Sequence, residues 1–313
     1  MAIFNSEMNQ ALGAIEHEHD LQIIGAWNTG SRAWGLSHPD SDHDIAFIYA
    51  QPLSHYQTMS NYTASLQGDG TELDSFDSTR RVAQEDIDFE GWDIKRFLEL
   101  LADSNATAME ALNSPISYST HPILDDIRAY VNDHFEVISL YDHYRSFAKT
   151  HYYEYLADSD RPTVDKNLYT VRACLLGLYI LETHEYPPLN FNDFLDEAPD
   201  NVLDGWDVNE IRWLAELKQD GEGARECGTP FNETIESQVL QRTLTHTDHV
   251  RSPHEFSEEA RTHHGNYQHK NVPHEEHPPD GYTCWPPHCN GHTDSIELDR
   301  YVQQLIQSTT LFQ

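Results

Sequence analysis

Gly30-Ser31-Arg32-Ala33-Trp34-Gly35-Leu36 stands between two apolar runs, and the second run opens with Asp42-His43-Asp44. The first run, Leu21 to Trp27, reads as a short strand. Ser31 to Leu36 reads as a short helix, Ser37 to Ser41 as a polar turn, and Asp44 to Tyr49 as a second strand. Side chains two residues apart share a strand face, so Asp42 and Asp44 point the same way. Carboxylates so placed repel each other unless a cation lies between them. The Gly-Ser helix start offers backbone N–H groups and a positive dipole end to an anion. The parts together describe a site for a metal-bound polyphosphate. A Gly-Ser turn or an Asp-x-Asp pair alone is ordinary, and in so acidic a chain carboxylate pairs arise by chance. The order and spacing between two apolar runs single this one out.

Phosphoryl transfer to a hydroxyl needs charge neutralisation and in-line positioning. Two divalent ions about 3.5–4 Å apart can clamp the attacking and leaving oxygens. Asp42 and Asp44 are suited to bridge such ions, and a third carboxylate on a neighbouring strand completes the set. Asp86-Ile87-Asp88-Phe89-Glu90 supplies two candidates, Asp88 and Asp86, which share one strand face. Hard carboxylate ligands select magnesium or manganese over zinc. Ser31 can bond terminal phosphates through its hydroxyl and backbone N–H, and Gly30 permits close approach. Arg32 either neutralises phosphate charge, faces solvent or pairs with a carboxylate.

The 313 residues carry 19 Lys and Arg against 53 Asp and Glu, a net charge of -34. Such a surface disfavours nucleic acid in dilute salt. It suits a halophile, because at several molar salt the Debye length falls to roughly 1.5–3 Å; the competing reading is a chain that avoids or mimics nucleic acid. Lysine is scarce: Lys95, Lys149, Lys166, Lys218 and Lys270. No window approaches the ~20 apolar residues of a membrane span, the start lacks a secretory pattern, and four cysteines form no dense framework. A cytoplasmic protein is expected.

The rest of the chain divides by pattern. Ser6 to about His19 reads as an amphipathic helix. Gln67 to Arg81, rich in Gly and Asp, reads as a loop, Arg81 to Phe89 as a third strand, and Ile94 to Leu101 as a helix. From about Asn113 the pattern is helical, near Ile123–Phe135, Val137–Leu156, Val164–Thr183 and Val208–Lys218. Pro187 to Phe191 is a connector opening a short helix at Phe191–Leu195. Gly221 to Thr293 is rich in His, Thr, Pro and Glu and reads as an insertion. Asp294 to Leu311 regains helical periodicity, with Asp294 and Glu297 resembling a capping box. The expected organisation is a catalytic region over 1–115, a helical nucleotide-supporting region over 116–220, the insertion over 221–293 and a final helix over 294–313. The fold class is α+β: a mixed sheet with flanking helices, then a mostly helical part.

The run Gly30 to Leu36 with Pro39-Asp40-Ser41-Asp42-His43-Asp44 resembles the DNA polymerase beta nucleotidyltransferase superfamily. Within it, the resemblance is to the RlaP-type branch, named for an RNA repair pathway. Ile87 through Leu98 resembles the branch's third-carboxylate strand and following helix, which selects Asp88 over Asp86. Asn105 to Leu112, Lys166 to Arg172 and Pro187 to Phe191 resemble its later segments, and the match covers roughly Leu21 to Lys218. His43 stands where the family usually has a bulky apolar or aromatic residue. The resemblance implies transfer of a nucleoside monophosphate from a nucleoside triphosphate to an acceptor hydroxyl, with magnesium or manganese held by Asp42, Asp44 and Asp88. It implies an RNA end as acceptor, and base or phosphate contacts from Lys166, Tyr169 and Arg172; Lys149 is a weaker candidate of that type. Core packing for Tyr169 and surface ion pairs for the two cations are the ordinary alternatives.

Other function classes stay open. A nucleotide-binding or toxin–antitoxin module would be expected to lose a carboxylate, and all three are present. A protein-modifying nucleotidyltransferase would keep them. The sequence shows no basic groove, so RNA recognition would rest on stacking and hydrogen bonds, for which Trp27, Trp34 and Trp92 are available. Cys284, Cys289, His288 and His292 are zinc-ligand types, but their spacing fits no common finger. The nucleotide preferred and the oligomeric state are not readable.

Overall fold

His43–Ala50 is apolar at nearly every position and buried along its length, the pattern of a central strand covered on both faces. In the computed structural model, which describes residues 2–58, 62–69, 87–240, 298–301 and 303–304, this strand is β2. It lies between β1 (Gln22–Asn28), antiparallel, and β4 (Ile87–Asp93), parallel. β3 (Ser65–Asp69) pairs antiparallel with β4, and β5 (Ser117–Thr120) pairs antiparallel with β1. The order is β3-β4-β2-β1-β5, a mixed five-stranded sheet.

Strand alternation sorts the side chains by face. Ile45, Phe47 and Tyr49 join Ile87 and Phe89 in a core closed by Met8, Leu12 and Ile15 of α1 (Ala2–His19). Ala46, Ile48, Ala50 and Trp92, on the other face, enter the larger core. That core continues through α4 (Ile94–Ala102), α5 (Ala106–Asn113), α6 (Ile123–His134), α7 (Val137–Tyr155), α8 (Val164–Thr183), α9 (Phe191–Glu197) and α11 (Val208–Gln219). One-turn helices α2 (Gly30–Ala33), α3 (Leu53–Tyr56), α10 (Asp200–Leu203) and α12 (Asn232–Ile235) lie among them, and α12 runs on into a π-helical turn, Glu236–Leu240. Several helices start on a side chain that accepts from the first turn: Asp93, Asn105, Glu136, Asn190 and Asp207. α8 is buried along most of its length and packs closely on α7.

The α+β architecture matches the expected class, and the helices expected from Ile123 onward fall within two residues of the observed ends, as does the one expected at Phe191. The strands differ more. Residues 67–69, expected in a loop, belong to β3. β5 interrupts the stretch expected to be helical after Asn113, so the sheet extends past residue 115. Both are short and polar, and their ladder partners lie far away in sequence, so no local periodicity marks them. The third strand is longer than expected at its end, running to Asp93, where the carboxylate that ends the strand also caps α4. Residues 81–86 of the expected strand, with Asp86, lie outside the described residues, as do the zinc-ligand types at 284–292. Of the final helix, residues 298–301 are helical; Leu298 and Tyr301 are buried, and Tyr301 meets Tyr130 of α6 at 6.3 Å between rings.

Candidate active site

Gly30 has φ +60, a left-handed conformation that L side chains rarely adopt, and a Cβ built on it would collide with the Asp44 carboxylate. The Gly-Ser turn and the carboxylate are therefore in direct contact. Thr29 fastens the turn to the strand: its N–H and its hydroxyl both donate to the Asp44 carbonyl, at 2.7 and 3.1 Å. α2 is a single turn of four residues. Its aligned peptide dipoles are few, so an anion there would be held by N–H groups that have no intrahelical partner more than by a macrodipole.

Asp44 pairs with Asp88 across the parallel β2–β4 ladder, which puts both on the same sheet face. Asp42 immediately precedes β2. Burial raises the Asp44 pKa, and the negative charges of Asp88 and Asp42 raise it further, against a smaller opposing effect of Arg32. Among the described residues no three His, Cys, Asp or Glu side chains close around an ion. The carboxylates form an open set. Their mutual repulsion at Asp44 is what a divalent cation would relieve, and three hard oxygen donors fit magnesium or manganese.

Two cavities meet at Asp44. The larger, about 560 Å³, has Gly30, Ser31, Asp42 and Asp44 on the sheet side, and Asp165, Tyr169 and Lys218 on the helical side. Trp34 and His38 also line it. The smaller, about 360 Å³, is lined by Asp44, Asp88, Glu90, Gln67, Thr29, Thr107 and Trp92. Gly30, Ser31, Asp42, Asp44 and Tyr169 are thus gathered in one cavity, while Asp88 opens onto the other and shares Asp44 with it.

Three expected nucleotide contacts are not among the cavity-lining residues. Arg32 donates from Nε to the Asp42 carbonyl at 3.0 Å, and from Nη2 to the carbonyls of Pro39 (3.2 Å) and Ser41. It braces the 39–42 loop that presents Asp42. Lys166 places its ammonium over the Tyr155 ring, 3.8 Å from the centroid. Arg172 is buried, bonds Glu110 at 3.1 Å and lies over Trp34. Lys149 is exposed on α7.

Lys218, Asp165 and His38 are cavity residues that sequence reasoning missed. Lys218, in the last turn of α11, pairs with Asp165 at 3.1 Å. Burial works against its charge, but Tyr169 and Asp165 outweigh that and raise its pKa. The usable signal was the scarcity of lysine. Asp40 N–H donates to His38 Nδ1 at 3.3 Å, which directs the other ring nitrogen to carry the proton when the ring is neutral. His43 lies on the opposite sheet face from the carboxylates. Asn28 Nδ2 bonds its Nδ1 at 2.9 Å and the Tyr118 hydroxyl at 3.0 Å. Burial, then the charge of Arg32, pushes the His43 pKa down to about 4.

The chain is 27% identical over 216 residues to the uncharacterized protein YcgL of Bacillus subtilis (strain 168), covering 67% of this chain and 75% of that one. A nucleotidyltransferase-like protein from Exiguobacterium sibiricum 255-15, known from a crystal structure, aligns with 78% of this chain and 84% of its own, at 10% identity and a TM-score of 0.27. No helix among the described residues is long and apolar enough to cross a membrane. Residues 4–264 match the RNA repair pathway DNA polymerase beta family, RlaP. With most of its length matched, and with the Gly-Ser turn set against Asp44, which pairs with Asp88, the chain belongs to that family and to the nucleotidyltransferase class it represents.

Proposed function

We propose that the protein transfers a nucleoside monophosphate from a nucleoside triphosphate to the hydroxyl of an RNA end, with magnesium or manganese held by Asp42, Asp44 and Asp88. The observation that carries this reading is the placement of Asp44, in contact with Gly30, paired with Asp88 and common to both cavities. The triphosphate occupies the larger cavity, its terminal phosphates at Ser31 and the Lys218 ammonium. The acceptor hydroxyl enters from the smaller cavity beside Asp88. Its oxygen attacks the α-phosphorus as the bond to the bridging oxygen breaks, and pyrophosphate leaves on the Ser31 side. Asp42, Asp44 and Asp88 would hold the divalent ions, which when bound would supply charge neutralisation at the phosphates and Lewis acidity at the hydroxyl. Asp88 orients that hydroxyl and takes its proton.

Asp42→Ala, Asp44→Ala and Asp88→Ala are each expected to abolish transfer from α-labelled triphosphate, with circular dichroism unchanged. Full activity in all three would refute the site. One observation favours a second reading, with a protein or small-molecule acceptor: the smaller cavity is lined by three carboxylates and by no Lys or Arg among the described residues. Labelling in a cognate lysate, with and without RNase, separates the two. Loss of label on RNase treatment marks RNA.

A further inference from the structure

Behind the larger cavity lies a buried polar cluster with no place in the transfer step. Glu110, on α5 and largely shielded from solvent, accepts three hydrogen bonds. Trp34 Nε1 donates to its Oε2 at 2.6 Å; Tyr144 hydroxyl and Arg172 Nη2 donate to its Oε1 at 2.7 and 3.1 Å. The Arg172 guanidinium lies over the Trp34 indole, 3.9 Å from the centroid. Among the described residues its Nε has no hydrogen-bond partner, so this buried cation is used as much for the ring as for Glu110. Side chains from α5 and α8 therefore converge on Trp34, the C-cap of α2, and Tyr144 of α7 fixes Glu110 in turn. A buried ion pair is a costly way to fill space, since desolvation offsets most of its attraction, whereas it fixes the direction of an indole well. Trp34 meets Tyr169 with ring centroids 5.5 Å apart and planes at 81°, and both line the cavity.

We propose that Trp34 and Tyr169 form a nucleobase subsite, an aromatic corner that receives the base of the triphosphate by stacking, and that Glu110 and Arg172 are positioning residues that lock the Trp34 ring. This rests on the nucleotidyl-transfer reading above. The rest of the cavity supplies what the phosphates need: Ser31 on the turn and Lys218 on the helical side. Stacking uses the π-face that every base has, so the subsite holds purine and pyrimidine triphosphates with modest discrimination.

The test is calorimetric titration of the full chain, in magnesium, with ATP and with inorganic tripolyphosphate. Trp34→Ala is expected to weaken ATP about 5- to 150-fold, the loss associated with one stacked base, and to leave tripolyphosphate unchanged. Trp34→Phe restores part of the ATP affinity. Glu110→Gln raises the KM for the triphosphate with little change in kcat, and leaves tripolyphosphate binding as it was. Equal loss of both ligands in Trp34→Ala, or undiminished ATP binding, overturns the subsite while the transfer reading stands. A fall in kcat alone for Glu110→Gln overturns the positioning role. If the unaltered chain binds neither ATP nor tripolyphosphate, the transfer reading fails and the subsite with it.

Discussion

Gly30 concentrates the demands of the site in one residue. Its left-handed φ and the Asp44 carboxylate against it leave no room for a Cβ. Gly30→Ala should therefore lose nearly all transfer activity through displacement of Asp44. It should lose about 1–2 kcal/mol of stability from the backbone conformation alone, measured by urea unfolding beside the activity assay. His43 makes a different prediction. Its folded pKa of about 4 lies below the unfolded value of 6.5. The group therefore contributes stability that is fully present above 6.5 and is lost as pH falls from 6.5 toward 4. Each unit is worth about 1.4 kcal/mol, so the loss from this group is at most roughly 3 kcal/mol. His43→Leu should be less stable at pH 7, because Asn28 keeps Tyr118 but loses the second of its two partners, yet show a flatter decline over that window. An unchanged acid limb in the variant would count against this assignment. Lys166 and Lys218 show where residue-level reading stops. Successive helical side chains are about 100° apart, so Asp165 and Tyr169, four apart on α8, reach the cavity while Lys166 turns to Tyr155. Lys218 arrives from α11, and nothing local in its sequence points to the Gly-Ser turn.

At the scale of elements, the Gly-Ser turn is held from behind by the helical half. Phe191 N–H donates to the Trp34 carbonyl at 2.8 Å and Gln219 Nε2 to the Gly35 carbonyl at 2.7 Å, and Asn190 packs under Gly35, whose φ is +71. Asn190 also caps α9. Asn190→Ala should cost about 1 kcal/mol in thermal unfolding and lower transfer activity by more than that stability loss explains. Asp93 is a second junction. It is fully buried, caps α4 through Lys95 N–H, and accepts from Gln51 (2.9 Å), Tyr56 (2.6 Å) and Tyr62 (3.2 Å). Asp93→Ala strands those donors and should cost about 2–4 kcal/mol, read by urea unfolding. The long helices were legible because a buried helix repeats its apolar face every three to four residues. β3 and β5 were not, because an edge strand of four or five polar residues owes its existence to the backbone groups of the strand beside it.

Across the whole molecule, charge is the dominant feature. A net charge of -34 makes the compact state self-repelling at low ionic strength. Raising KCl from about 0.1 to about 2 M screens that repulsion and should raise the melting temperature by roughly 5–10 °C; a melting temperature independent of salt would contradict it. The same balance bears on the acceptor. With 19 cations against 53 carboxylates, few phosphates can be neutralised at once. RNA binding should show a log–log salt slope no steeper than about -2, measured by filter binding across a KCl series. A steeper slope would contradict this.

The sequence alone determined the family resemblance, the Gly-Ser turn, the Asp42/Asp44 pair and the helical half, because turn chemistry, strand alternation and helical periodicity are written within a few residues of one another. With the resemblance it also singled out Asp88. The tertiary structure decided the rest. It aligned Asp88 with Asp44 in a parallel register, brought Lys218 and Tyr169 over the turn, and turned Arg32, Lys166 and Arg172 to other partners. Those outcomes depend on how elements far apart in the chain pack and pair, and packing is a property of the assembled core that no local pattern carries.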